Sequence, residues 1–530
     1  MFYLGCVIYR GPTLGKVARS KRKVTVVANI AVIGAGMGAM ACAARLCAKG
    51  HKVTVFESTD TWGGKLGIQT FENHKFDTGP SLLTLPAVYR DLFLKTGKPI
   101  EDSIDIVELD RAFRYQFADG SVLNMPGAGI GACASAIGEA FGGQSADEWR
   151  AFMQRAAKMW AVTRGPFLES PLNGMRSLLA MSWRLNALAT IAPGKSLRSL
   201  ARHYFTDPRL VTLVDRYATY SGSDPRQAPA ALATIPYIEQ AFGAYHVAGG
   251  LRELGRALFD RCISLGINFE FSTKVTHVRK VNNSFQVLLN DAVTREFDIV
   301  VANADAHTVY NSILDQDLPE VRAAKRNLKK VTPSLSGFVI TLALSGKTPE
   351  LAHHNVFFPA DYDDEFDSVF GKLGAKFGSG AKPRPTPKPA IYICNPQDEA
   401  MSPAADESWF VLVNAPRHDP VDGVDWNSDE LVAGYTENII NQIGVAGFDI
   451  GARIKWQNTI SPAQLEQRTG AHGGSIYGSS SNGMRAAFLR PRNVTDIENF
   501  YLVGGSAHPG GGLPLVAMSA DIVAQKIGRA

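Results

Sequence analysis

IAVIGAGMGAMACAARLCAKGHKVTVFE, residues 30–57, sets the architecture of this 530-residue chain. Residues 30–33 are a short apolar run of the kind that forms a buried parallel strand. Gly34 permits the tight turn that must follow. Gly36 lets backbone approach a pyrophosphate with no side chain in the way, and Ala39 keeps the third position small enough for helix and strand to pack. The helix that follows is stopped by Gly50. Its N-terminus offers free N–H groups and the positive end of a dipole to phosphate. KVTVFE, residues 52–57, alternates as a second strand and ends on Glu57, 23 residues after Gly34. A carboxylate at that strand tip accepts hydrogen bonds from ribose hydroxyls and repels a 2′-phosphate. Strand, glycines, helix, strand and acid in this order predict a dinucleotide-binding β-α-β unit.

A second stretch, MPGAGIGACASAIGEAF (residues 125–141), carries the same G-x-G-x-x-A spelling. Pro126 ahead of Gly127 suits a loop rather than the end of a buried strand. Upstream, FRYQFADGSVLNM reads as a hairpin turning at Asp119-Gly120. Asp147 falls 20 residues after Gly127, but the segment before it reads as a turn and a helix start. The expectation is a small-residue approach to a helix without flanking strands, leaving one nucleotide site.

The chain is 45% hydrophobic and 20% charged, ordinary for a globular protein of two or three domains. Its six cysteines, Cys6, Cys42, Cys47, Cys133, Cys262 and Cys394, form no C-x-x-C pair, which reads as reduced, intracellular usage. The net charge of +5 is local. Arg10, Lys16, Arg19, Lys21, Arg22 and Lys23 stand before Val24 with no acid among them, and without them the chain is near neutral. No basic face is left for nucleic acid. The opening MFYLGCVIYRG is apolar first and basic afterwards, the reverse of a secretory signal. It reads either as a disordered extension or as an anchor on anionic lipid. No apolar run reaches the 18 residues of a membrane span. Residues 371–389, rich in Gly, Lys and Pro, read as a solvated loop.

Three further motifs share a theme. STDTWGGKLG (residues 58–67) places Gly63, Gly64 and cationic Lys65 just after Glu57, FDTGPSLLTLP (residues 76–86) holds Pro80, and NFYLVGGSAHPGGGLPLVAMSADIVAQKI (residues 499–527) closes the chain. Together with VVANADAH (residues 300–307), they resemble the FAD enzymes of the amine oxidase superfamily. Within it the chain is most similar to the bacterial-type carotenoid desaturases, the phytoene desaturase family, across residues 30–527. True phytoene desaturases more often carry GAGTHPGAG. The form here, GGS-x-HPGGG-L-P-L-V, looks nearer to members acting on coloured or terminally modified carotenoids.

The resemblance implies a Rossmann-type FAD-binding α/β domain with a discontinuous mixed α+β substrate domain. Expected boundaries are 1–28 for the extension, 29–105, 241–306 and 466–530 for the FAD domain, and 106–240 and 307–465 for the substrate domain. It implies FAD, with Gly34, Gly36 and Ala39 at the pyrophosphate, Glu57 at the adenosine ribose, and Gly63, Gly64, Lys65 and Pro80 close by. Lys65 stands where the family usually has Arg, a bidentate phosphate partner. Val275 matches a position whose backbone meets the adenine, and Gly505, Gly512, Leu513, Pro514 and Leu515 match the flavin side. Physically, the Gly510–Gly512 run lets backbone pass a flat ring, Pro514 suits a first helical turn, and the helix dipole favours negative charge on a reduced flavin.

Desaturation of a polyene needs hydride acceptance by flavin and a dry pocket, not a metal or a nucleophile triad. His508 stands by the flavin segment either as a proton relay or as a hydrogen-bonding group. The adjacent His353 and His354 are expected on opposite faces of a strand, so no metal site is expected. Residues 177–192 read as an apolar helix, either core or a membrane-dipping entrance. The expected protein is an FAD-dependent carotenoid desaturase, cytoplasmic and peripherally associated with the membrane, with quinone or oxygen as acceptor. Alternatives are a flavin-dependent cis-trans isomerase, a terminal carotene oxidase and an amine oxidase.

Overall fold

A computed structural model describes residues 27–172, 189–371, 381–483 and 486–530. The basic N-terminal segment, residues 177–188 of the 177–192 stretch and residues 372–380 of the 371–389 loop lie outside the described residues.

Five parallel strands form the first sheet, in the order Phe500–Leu502, Ile299–Ala302, Asn29–Ile33, Lys52–Phe56 and Asn268–Glu270. Register aligns Ile33 with Phe56 and with Ala302, Ala302 with Leu502, and Phe56 with Glu270, so all five carboxyl ends finish flush. Both faces of the first strand are covered, as a parallel sheet requires. Ile30 and Val32 pack on a helical layer that includes Met37–Ala48, Ala87–Thr96, Arg252–Ser264 and Leu513–Ile527. Ala31 and Ile33 face a small antiparallel sheet, Val275–Val281, Ser284–Leu289 and Val293–Phe297, through Val278, Phe285 and Val287.

The helix Met37–Ala48, MGAMACAARLCA, is nearly all small or unbranched residues and is buried over ten of its twelve positions. That composition lets it wedge between the sheet and the C-terminal helix. A Cβ on Gly38 would stand 3.0 Å from the Gly504 Cα.

The second sheet has seven strands, in the order Ile454–Ile460, Ser336–Ser345, Asp406–Ala415, Ile391–Cys394, His354–Phe357, Arg111–Gln116 and Val122–Pro126. It draws on two separate stretches of chain, and helices including Gly143–Thr163, Pro208–Arg216 and Thr234–Phe242 pack beside it around a large apolar, aromatic core. The fold is α/β, a Rossmann-type sheet joined to a mixed α+β region.

The hairpin at Asp119-Gly120 is present, but one expectation about the second glycine run is corrected. A strand, Val122–Pro126, does lead into Gly127. Pro126 is tolerated because this is an edge strand, where a missing N–H costs no ladder bond. The run is still no dinucleotide loop: the strand is antiparallel, and the helix after it, Ile130–Phe141, leads into another helix. A Cβ on Gly127 would overlap the Leu109 carbonyl oxygen, so its own chain fills the space.

Candidate functional site: a glycine cradle at the carboxyl edge of the parallel sheet

Gly34 follows the first strand with φ +88°, a left-handed conformation that favours glycine. Gly36 caps the helix Met37–Ala48 with no side-chain cap and no acid in the first turn, so the helix presents bare N–H groups. Glu57, buried at the tip of the second strand, reaches back: its Oε2 accepts from the Ala35 N–H at 2.7 Å. Its Oε1 accepts from the Thr59 N–H and hydroxyl at 2.8 and 2.9 Å. Oε2 keeps acceptor capacity for a further donor.

The other expected residues converge here. Gly63 bridges to Gly36, and its N–H donates to the Ala35 carbonyl at 2.9 Å. A Cβ on Gly64 would come 3.3 Å from the Gly36 Cα. Gly79, beside Pro80, lies so close to Lys65 that a Cβ would overlap the Lys65 carbonyl. Asp77 of the same motif accepts from the Leu251 and Arg252 N–H groups at 2.7 and 3.0 Å and holds the start of the helix Arg252–Ser264. Val275 opens a strand two residues beyond Thr273, whose N–H donates to the Glu57 carbonyl at 2.8 Å. Gly505 follows Phe500–Leu502, and Gly512 caps the helix Leu513–Ile527, which begins Leu513-Pro514-Leu515.

Lys65 and His508 stand differently from a simple phosphate contact and a proton store. The Lys65 ammonium donates to the Ser475 and Ile476 carbonyls at 2.8 and 2.7 Å, and burial brings its pKa down to about 8 despite nearby Asp305. His508 is buried, its Nε2–H donates to the Ser170 carbonyl at 3.1 Å, and burial pushes its pKa down to about 4. It is therefore neutral at physiological pH.

Four residues that sequence reasoning did not single out complete the site. Asn303, at the end of Ile299–Ala302, places its Oδ1 where a Gly36 Cβ would stand 2.6 Å away, while its Nδ2 donates to the Val503 carbonyl at 3.0 Å. Arg490, buried, donates to the carbonyls of Tyr477, Ser479 and Gly505, and burial lowers its pKa to about 10. Tyr392 lies in the adjoining aromatic core and meets Ser81 of the FDTGPS segment, hydroxyl to hydroxyl at 2.6 Å. Arg216 lies 5.4 Å from the Tyr392 ring centroid, hydrogen-bonds Tyr362 and donates to the Thr219 hydroxyl, with no carboxylate at ion-pair distance among the described residues. Of these only Asn303 lies within a quoted motif, residues 300–307; Arg490, with Arg485 and Arg492 close by in sequence, carries no distinct signal.

The opposite-face expectation for His353 and His354 does not hold. The strand starts at His354, so His353 escapes its alternation, and the two rings lie 4.5 Å apart.

The cradle fits a dinucleotide. Its glycines leave backbone N–H groups open, a Cβ would fill the space at Gly36 and Gly64, and an acidic acceptor stands at the neighbouring strand tip. A profile of the flavin containing amine oxidoreductases matches residues 40–528. The chain is 30% identical to a 1-hydroxycarotenoid 3,4-desaturase of Flavobacterium over 94% of its length and 98% of the relative's. Identity is 28% to a 4,4'-diapolycopene oxygenase of Methylomonas and 26% to a 4,4'-diapophytoene desaturase of Staphylococcus aureus, with the same coverage. Among solved structures, a putrescine oxidase with bound putrescine aligns with TM-score 0.62 at 12% identity over 95% of this chain and 98% of that one. Cyclohexylamine oxidase from Brevibacterium oxydans aligns at 0.60 and 12%, over 95% and 99%. An oxidoreductase from Methanosarcina mazei aligns at 0.59 and 14%, over 94% and 100%. The chain belongs to the flavin containing amine oxidoreductase family.

Proposed function

We propose that this protein is an FAD-dependent oxidoreductase that desaturates a carotenoid polyene. The observation that carries the proposal is a single dinucleotide cradle placed directly against an apolar, aromatic interior. The Ile476 carbonyl that holds Lys65, and Leu82 beside Ser81, both belong to residues packed on that interior. Phe113, Tyr115, Phe117, Phe358 and Tyr392 belong to that interior. Sequence likeness to carotenoid enzymes over nearly the whole chain supports the same substrate class.

FAD, when bound, supplies a two-electron hydride acceptor for an allylic C–H bond. The chain's residues bind and orient. The N–H groups at residues 36–38 and the dipole of Met37–Ala48 would hold the pyrophosphate, and Glu57, which also holds the Ala35 N–H, would hold the ribose. Arg490 fixes the Gly505 carbonyl and with it the flavin-side backbone. His508 keeps its proton on Nε2 in the bond to Ser170, which favours positioning over proton storage. Arg216, among tyrosines and with no carboxylate at ion-pair distance among the described residues, favours a polyene with an oxygen function at one end.

Electrons pass onward to quinone or oxygen, since the second glycine run offers no nicotinamide site. The protein works at the cytoplasmic membrane surface, where its substrate dissolves. No helix among the described residues is long and apolar enough to cross a membrane.

The test is expression in cells accumulating phytoene, neurosporene, lycopene or a hydroxylated carotene, with mass analysis of the pigments. Loss of hydrogen pairs supports desaturation. An unchanged mass with altered absorption points to the cis-trans isomerase, and a gain of oxygen to the terminal oxidase.

A further inference from the structure

Away from the glycine cradle, the seven-stranded sheet holds a compact group of nitrogen and sulfur donors. His354 and Cys394 are direct cross-strand partners of the antiparallel pair His354–Phe357 and Ile391–Cys394, so their side chains leave the same face of the sheet. His353, one residue ahead of the strand, turns its ring to within 4.5 Å of the His354 ring. One donor atom from each of the three lies within 4.8 Å of the other two, and all three residues are buried.

Hydrogen bonding sets how the two imidazoles present themselves. The His354 Nδ1 lies 2.7 Å from the Tyr392 hydroxyl, which also meets Ser81 and Cys394. The His353 ring bonds the Pro396 carbonyl, and because its Nε2 has no partner this bond runs through Nδ1–H. The His354 Nε2 is likewise buried without a hydrogen-bond partner. Two imidazoles, each with one ring nitrogen hydrogen-bonded and the other orphaned, therefore lie in one buried group with a thiol. A buried polar atom without a partner is costly. Outer hydrogen bonds of this kind are what orient histidine ligands on a metal. Next to them, the His246 ring stands 4.8 Å from the His353 ring and is held by Asp398 at 2.9 Å, which adds negative charge nearby.

We propose that His353, His354 and Cys394 form a binding site for a zinc-class transition-metal ion, ligated by two imidazole Nε2 atoms and one thiolate. Two nitrogens and one sulfur with no first-sphere carboxylate suit a borderline-soft ion rather than magnesium or calcium. Bond lengths of ~2.1 Å to nitrogen and ~2.3 Å to sulfur draw such donors within ~3.5 Å of one another. Small side-chain rotations supply that closure, and a water completes a tetrahedral shell. The ion ties the first residues of one strand to the end of its neighbour, behind the tyrosine that meets Ser81.

The test uses the full-length, flavin-loaded protein, stripped with a chelator and titrated with Co²⁺ and then with competing Zn²⁺. The expected result is one ion per chain. Cobalt should give tetrahedral ligand-field bands to the red of the flavin spectrum and a sulfur-to-cobalt charge-transfer band, all displaced by zinc. Cys394→Ser should abolish the charge-transfer band and weaken binding by at least tenfold, and His353→Gln should weaken it by a similar factor while keeping the sulfur band. Flavin content and circular dichroism establish that each variant is folded, and either variant alone suffices if the other is not. A wild-type protein that takes up no stoichiometric ion would overturn the proposal. So would a cobalt spectrum and affinity unchanged in the folded variant.

Discussion

Gly36→Ala adds one methyl group at the junction of the first strand and its helix, and the structure gives its cost in two separate quantities. The backbone there, φ −71° and ψ 170°, suits alanine as well as glycine. The new Cβ would meet only Asn303, with Oδ1 at 2.6 Å and Cγ at 3.8 Å. The amide must turn away and give up its 3.0 Å bond to the Val503 carbonyl, a loss of about 1 kcal/mol in folding stability. The same methyl stands where a pyrophosphate must approach the helix N-terminus. A loss of at least a hundredfold in FAD affinity is expected, about 2.7 kcal/mol. Gly127→Ala should behave in the opposite way. Its Cβ would overlap the Leu109 carbonyl, so the loop must move at a cost of about 1–3 kcal/mol or more, with flavin content per folded molecule unchanged. Gly131→Ala, exposed in the helix Ile130–Phe141 with no neighbour within 4 Å, is the neutral control and should gain up to about 1 kcal/mol. Fluorescence titration of stripped protein with FAD gives the affinities, and thermal melts of the same flavin-free samples give the stabilities. Wild-type FAD affinity in Gly36→Ala would refute the assignment, as would flavin loss from folded Gly127→Ala or Gly131→Ala.

Three further outcomes follow from other parts of the molecule. Glu57→Gln leaves one acceptor oxygen for donors now shared between two, from Ala35, Ser58 and Thr59, so FAD titration should show at least a tenfold weaker Kd and melts a loss of about 1–3 kcal/mol. Burial raises the Glu239 carboxyl from 4.5 to about 7 although Tyr217 and Tyr220 donate to it, so its stabilising contribution is complete below pH ~4.5 and is lost as pH rises through about 7. Glu239→Gln should accordingly show a smaller fall in melting temperature between pH 5 and 8 than wild type, and an unchanged slope would contradict this. The protein should float with anionic liposomes at low salt and less so at high salt, because exposed charges are screened within about 10 Å at ~0.1 M; no flotation at low salt would favour a soluble substrate.

What could be read from the amino-acid sequence was local. Residues 30–57 declare strand, turn and helix through apolar runs and glycine spacing alone, and the structure forms each at its expected place. Other features depended on distant partners. Asn303 shares the space above Gly36 because the strand before it lies next to Asn29–Ile33, an adjacency between residues about 270 apart in sequence. Arg490 and the Gly505 carbonyl meet through loop packing that leaves no periodic trace. The misjudgement of His353 turned on one residue, since alternation applies only within a strand and the strand begins at His354. Pro126 misled in a similar way: proline argues against a central strand, and nothing local says that this one lies at an edge.

Anaerobic incubation of purified, FAD-loaded protein with a carotene of matching end group, followed by absorbance and mass spectrometry, weighs the whole account. The expected result is bleaching of the flavin with one product molecule, lighter by two hydrogens, per flavin, and repeated turnover once a quinone is added but not with NAD or NADP alone. A product of unchanged mass, or turnover sustained by NADP with quinone and oxygen absent, would contradict it.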